Sequence, residues 1–239
     1  MSIRNLFLSV ALILATTMGL NASVINEFEP NPSGTDPSTQ DVELLGTPSA
    51  PYSGWLLSIE MDGAGGTIDR ATEVSGTYDA NGLSIETIGD LENPGFTLVF
   101  SELDAGGLGT DLDTDNDGVL DDPSVFGTVF DAVSVPDDAT DSGYYAGQLG
   151  GVDFMFTGGE PELTFRERST GTWIAVNDLD DPLDGIFGAD GTEYFASDFR
   201  QDPFVPTFGS ANPEFVPEPA SAITLGLGAL ALLFARRRR

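Results

Sequence analysis

The 239-residue chain contains no cysteine, no histidine and no lysine; all nine of its basic residues are arginines. Each absence removes a class of chemistry. Without cysteine there is no disulfide and no thiol nucleophile, so the fold rests on core packing or bound metal. Without histidine there is no imidazole base, and with neither residue there is no Cys/His zinc site. Without lysine there is no Schiff base and no Ser–Lys dyad. Carboxylate chemistry survives this filter, either as an acid pair cleaving a glycosidic bond or as hard oxygens around a metal. No phosphate loop is visible either, because Gly63-Ala64-Gly65-Gly66 lacks the following Lys and helix pattern.

What the chain has is acid. Between Ser23 and Val216 lie 38 acids and only four arginines (Arg70, Arg166, Arg168 and Arg200), a net charge of −34. Such a surface repels nucleic acid and anionic lipid and attracts divalent cations. It also resists aggregation, which is its plainer use. Before this region, Arg4 and the apolar run Leu6–Met18 have the form of a secretory leader, expected as a signal helix. Ala22 is the expected last residue before cleavage, although Leu20 is larger than the small residue preferred there. The expected organisation is a signal peptide over 1–22, one domain over 23–213 and a tail over 214–239.

The domain reads as all-β. Short apolar or alternating runs are separated by Gly, Pro, Asn and Asp. Strands are expected at 24–28, 41–45, 55–61, 67–70, 73–78, 83–88, 96–100, 128–135, 153–156, 162–167 and 172–176, with no long helical period among them. Many short strands at this spacing predict a β-sandwich. In the strand after Gly54, Trp55 and Leu57 share one face and Leu56 takes the other; Trp55 is the expected core anchor. Glu27 and Glu43 are two carboxylates on neighbouring strands, and no catalytic role is assigned to them.

The order Val24-Ile25-Asn26-Glu27-Phe28, then Asp41-Val42-Glu43-Leu44, then Gly54-Trp55-Leu56-Leu57 resembles the opening of a lamin-tail domain. Thr128–Val133 resembles a later strand of that family. Thr207-Phe208-Gly209-Ser210-Ala211-Asn212 resembles its closing turn, with Phe208 where proline is usual. The resemblance implies an immunoglobulin-like sandwich and a non-catalytic accessory role.

One loop carries a sharper signal. In Asp111-Leu112-Asp113-Thr114-Asp115-Asn116-Asp117-Gly118-Val119-Leu120-Asp121-Asp122, carboxylates recur at every second position around a glycine. Calcium wants six to eight hard oxygens, and a glycine permits the sharp bend. With Asp113 first, Asp115 and Asp117 fill positions three and five, Gly118 position six, the Val119 carbonyl position seven and Asp121 position nine. The pattern resembles the loops of thrombospondin type 3 repeats and dockerins. It departs from an EF-hand at Ser124, which cannot chelate with two oxygens, so Asp111 or Asp122 would have to complete the shell. That deficit predicts weak affinity, on the order of 10⁻⁴ to 10⁻³ M. The plainer account is a solvated acidic turn. Asp178, Asp180, Asp181 and Asp184, like Asp137, Asp138 and Asp141, lie in turns that favour Asp anyway.

The tail is the most specific stretch. Val216-Pro217-Glu218-Pro219 is followed by an apolar run, Ala220–Ala235, and then by Arg236, Arg237, Arg238 and Arg239. The prolines hold the peptide extended. Sixteen residues of helix span about 24 Å, slightly short of a roughly 30 Å hydrocarbon core, a mismatch absorbed by local thinning. Terminal arginines stay cytoplasmic, which sets the preceding chain outside. This order resembles the sorting tail of PEP-CTERM proteins. The resemblance implies export by a Gram-negative bacterium, tethering to the inner membrane by a transmembrane helix, and removal of the tail by an exosortase. The motif 216–219 would be its recognition element and the arginines the retention signal. The resulting expectation is a non-enzymatic, calcium-binding surface or matrix protein. Extracellular polysaccharide or surface proteins are its expected partners, with an adhesive or structural role in a biofilm. The alternative is an exported carboxylate-dependent polysaccharide hydrolase. A nuclease accessory is disfavoured by charge.

Overall fold

Several strands in this chain are buried on both faces, Phe96–Ser101 and Trp173–Val176 at every residue, and the architecture follows from that. The computed structural model describes residues 23–217, apart from 36, 63–64, 92–94, 182 and 184. The expected signal helix with Ala22, and the expected transmembrane helix with Glu218, Pro219 and the terminal arginines, lie outside the described residues. Within them no helix is long and apolar enough to cross a membrane. Among the described residues, twelve strands and three short 3-10 turns make up the regular structure. The strands are β1 (Val24–Phe28), β2 (Thr39–Leu45), β3 (Pro51–Glu60), β4 (Ile68–Thr77), β5 (Leu83–Gly89), β6 (Phe96–Ser101), β7 (Val129–Val135), β8 (Val152–Asp153), β9 (Leu163–Arg166), β10 (Trp173–Val176), β11 (Ile186–Gly188) and β12 (Glu193–Tyr194).

They form two sheets. One has seven strands in the order β12-β11-β10-β9-β1-β2-β5, the other five in the order β4-β3-β6-β7-β8. Every pairing is antiparallel except β7 with β8. Phe28, Val42 and Leu44 of the larger sheet meet Leu56, Leu98, Phe100 and Val133 of the smaller in one buried cluster. The fold is therefore a two-sheet β-sandwich with its main core between the layers.

The outer faces are covered too. Leu57, Ile59, Val99 and Ala132 point away from the main core and pack beneath Leu112, Leu120, Phe126 and Tyr145, all supplied by the long connections around β7. On the opposite side Phe165, Ile174 and Val176 pack beneath Phe199, Phe204 and Phe215 of the C-terminal segment. Period-two alternation thus separates two apolar environments: in β10, Trp173 and Ala175 face inward, and Ile174 and Val176 face the C-terminal cover.

Two expectations change here. The buried tryptophan of the main core is Trp173, 2 % exposed against Phe28 and Phe154. Trp55 sits partly buried at the margin of the outer cluster. The alternation of Leu56 and Leu57 is as expected, but the face holding Trp55 and Leu57 is the outer one. Gly54 before it is required sterically: a Cβ there would lie 2.5 Å from the Ser101 carbonyl oxygen and 2.8 Å from the Phe100 ring. The runs at 67–70 and 73–78 join into the single strand β4, because Ala71 and Thr72 stay in register with Leu57 and Leu56.

Candidate functional site

The acidic loop lies within the cover over the smaller sheet. Leu112 and Leu120 anchor its ends in the apolar layer. Leu112 N–H donates to the Gly66 carbonyl at 2.9 Å, and Asp121 N–H closes the loop onto the Leu112 carbonyl at 2.9 Å. Between these anchors Asn116 (φ 54°) and Gly118 (φ 80°) take left-handed backbone, a conformation open to Asn and Gly.

Asp113 is the pivot. It is 1 % exposed. Its Oδ1 accepts from Asp117 N–H at 3.1 Å, and its Oδ2 from Gly118 N–H at 2.8 Å and from the Tyr145 hydroxyl at 2.9 Å. Burial, followed by this bond and the Asp113 charge, pushes the Tyr145 hydroxyl far above its ordinary value. Asp115 and Asp117 stand on the surface, and one oxygen from each of Asp113, Asp115 and Asp117 lies within 4.8 Å of the others. The like charge of Asp117, ahead of burial and the charges of Asp121 and Asp113, pushes the Asp115 carboxyl up. This is the signature of carboxylates crowded without a counter-charge.

The remaining expected ligands are turned to other work. Asp111 Oδ1 accepts from Asp113 N–H at 3.1 Å. Asp121 Oδ2 accepts from Thr114 N–H at 3.0 Å and its hydroxyl at 2.7 Å, which holds that carboxyl below its ordinary value. Asp122 Oδ1 accepts from the Ser124 hydroxyl and N–H, capping the 3-10 turn Pro123–Phe126 and again lowering the carboxyl. Val119 is exposed and donates its N–H to Asp117 Oδ1 at 2.9 Å. The structure therefore gathers Asp113, Asp115 and Asp117 and leaves Asp111, Asp121 and Asp122 in local turns. A second group, Asp62, Asp137 and Asp141, also brings three carboxylate oxygens within 4.8 Å of one another.

Sequence pattern marks the turn at 207–212 but not the C-terminal cover as a structural unit. Residues 207–216 run over the larger sheet as a strap tied at nearly every step. Thr207 donates its N–H to Glu27 Oε1 (2.5 Å) and its hydroxyl to Glu27 Oε2 (2.6 Å). Gly209 N–H donates to Glu43 Oε2 at 2.5 Å, and Asn26 Nδ2 donates to Glu43 Oε1 at 2.5 Å. Asn212 Nδ2 donates to the carbonyls of Asn26 (3.1 Å) and Arg166 (2.9 Å). Phe215 N–H donates to Glu167 Oε1 at 2.7 Å and Val216 N–H to the Asp198 carbonyl at 2.8 Å. Glu27, Glu43 and Glu167 are fully buried. Burial first, then the neighbouring Glu43 and Glu29 charges, pushes Glu27 up to about 7 against the lowering effect of its Thr207 bonds. Burial raises Glu43 likewise, against bonds from Asn26 and Gly209. Glu167 goes the other way: burial raises it, but bonds from Thr170, Phe215 and Ser169 prevail and hold it down at about 2.

The strap delivers the chain directly into Val216 and Pro217, the last described residues. A family model for the PEP-CTERM protein-sorting motif matches residues 215–239. The tail is similar to a PEP-CTERM sorting motif. It supports an exported PEP-CTERM protein that passes through a membrane-anchored intermediate and is processed by exosortase. Comparisons with curated proteins and with solved structures returned no match. The sorting motif overlaps the folded body at Phe215 and Val216, so no slack separates the two.

Proposed function

We propose that this chain is a surface or matrix protein, with a non-catalytic sandwich of lamin-tail type that binds calcium at the acidic loop. The sorting tail holds it at the inner membrane until exosortase removes the tail, and the body then acts in an adhesive or structural role in an extracellular polymer layer. The single observation that carries the sorting half is the match at 215–239, beginning where the body ends. Full chain expressed beside an exosortase should yield a body lacking the tail by intact mass. Pro217→Ala/Glu218→Ala/Pro219→Ala should leave it uncleaved. Equal processing of both would overturn the assignment of residues 217–219.

The calcium half is supported by the convergence of Asp113, Asp115 and Asp117 over the left-handed Gly118. Three carboxylates fall short of the six to eight oxygens the ion wants, so water and backbone carbonyls would supply the rest and affinity would be weak. Calorimetric titration of the chain with millimolar calcium, alongside Asp115→Ala/Asp117→Ala, tests it: heat in the parent and none in the variant is the expected result. No observation favours the hydrolase alternative. Glu27 and Glu43 are opposite one another in the β1–β2 register, but both are buried with their oxygens bonded to the strap and to Asn26.

A further inference from the structure

The body holds four arginines against 38 acids, and among the described residues three of them meet a carboxylate. Arg166 makes two bonds to Asp131, at 2.7 and 2.9 Å, while stacking 4.3 Å over the Trp173 ring. Arg70 lies 3.7 Å from Asp69, and Arg200 lies 4.0 Å from Glu214. Arg168 is the exception. Its backbone N–H is used by the Pro213 carbonyl at 3.1 Å, but its exposed guanidinium has no partner among the described residues.

Arg168 lines a cleft of about 410 Å³ on the larger sheet, between the strap and the ends of β2, β5 and β9. Leu45 and Leu83 give the cleft apolar surface and Asn81 and Ser210 an amide and a hydroxyl, while the Asn212 amide is spent on the Asn26 and Arg166 carbonyls. Of its charged lining residues, Arg166 is paired with Asp131 and Glu167 is buried and accepts from Ser169, Thr170 and Phe215, which leaves Arg168 as the cation without a partner among the described residues. Glu43 lies behind this wall, its oxygens bonded to Asn26 and Gly209. The net charge of −34 does not forbid an anion here, since salt screens charges beyond about 8 Å at physiological ionic strength and the nearest groups decide.

We propose that this cleft binds a carboxylated sugar unit, a uronate, with Arg168 forming a charge-assisted pair to the carboxylate. Arginine suits this role because its planar fork matches the two carboxylate oxygens. Asn81 and Ser210 are placed to meet ring hydroxyls, and Leu45 and Leu83 to meet a C–H face. The inference deepens the matrix-protein reading and rests on it only in choosing a sugar as carrier of the carboxylate. The cleft and its unpaired arginine stand without it, and the test needs neither calcium nor tail processing.

The test is saturation-transfer NMR on the full chain in detergent, with a chelator present to exclude metal bridging. The probes are glucuronate, glucose and N-acetylglycine. Glucuronate is expected to bind in the millimolar range, with glucose and N-acetylglycine much weaker. Arg168→Ala should weaken glucuronate at least about tenfold, or about 1.4 kcal/mol, with Arg168→Lys intermediate. Because Arg168 is exposed, thermal unfolding of both variants should match the parent and exclude a folding defect. Absence of glucuronate binding at tens of millimolar would overturn the proposal, as would equal binding in Arg168→Ala. Binding of N-acetylglycine as tightly as glucuronate would overturn the sugar assignment.

Discussion

Both outer faces of the sandwich are covered by irregular chain, but the two covers solve the problem of acidic residues in opposite ways. Over the smaller sheet the carboxylates belong to the cover. Asp115 and Asp117 stand exposed around Asp113, and mutual repulsion is visible in the raised Asp115 carboxyl. Over the larger sheet the carboxylates belong to the strands beneath. Glu27, Glu43 and Glu167 are buried, and the strap brings its own N–H groups to them. Internal donors complete the second cover. The first is left wanting positive charge. A carboxylate can therefore serve as a fixed acceptor for backbone or as a ligand held in waiting, depending on whether donors reach it from within the chain.

If the strap is complete without an ion, breaking one of its buried bonds should be costly in any buffer. Asn212→Ala leaves the Asn26 and Arg166 carbonyls without their buried donor. Urea unfolding should show a loss of about 3 kcal/mol, the same with calcium or chelator. A loss that calcium restores would merge the two covers into one calcium-dependent unit.

The next effect is one of pH. Glu27 has an ordinary value of 4.5 and is raised to about 7 in the fold, so the folded chain holds that proton more tightly than the unfolded chain. Its contribution is full below about 4.5 and is lost as pH rises through about 7, a change of about 3 kcal/mol. Glu167, held down at about 2, contributes above its ordinary 4.5 and loses that contribution as pH falls toward 2. Urea midpoints should therefore decline between pH 5 and pH 8, and Glu27→Gln should flatten that decline. A decline unchanged in Glu27→Gln would place its origin elsewhere.

On the calcium proposal the loop should respond to metal instead. Calcium at ten times its dissociation constant should stabilise the chain by about 1.4 kcal/mol, read as a rise in melting temperature that Asp115→Ala/Asp117→Ala abolishes. The smallest effect is the most discriminating in sign. Asp115→Asn should raise the melting temperature slightly in chelator, by relieving repulsion from Asp117, and lower it in calcium. The same sign in both buffers would mean that the loop carboxylates are only solvated.

How far these covers could be read from sequence follows from the range of their interactions. The acidic loop was legible because its spacing is local: Gly118 follows Asp113 by five positions, and the turn is written in that interval. The longer strands, β1 to β7 with β9 and β10, were legible from their apolar runs, whereas β8, β11 and β12, with two or three residues, are too short to carry a period. The strap was opaque. Thr207 meets Glu27 across 180 positions, and nothing in either segment announces the other. Trp55 and Trp173 exchanged roles for a related reason. Both lie in apolar strands, and only the C-terminal cover, by taking the other face of β10, turns Trp173 inward. Arg168 could not be singled out until the partners of the other three arginines were known.

On this proposal one cover depends on a cation and the other does not. Amide hydrogen exchange of the full chain in detergent, with millimolar calcium or with chelator, tests it most directly. The account predicts that calcium slows exchange at Asp117, Gly118 and Val119 and leaves Thr207, Gly209 and Phe215 equally protected in both conditions. Unchanged exchange in the loop, or strap amides that slow together with it, would contradict it.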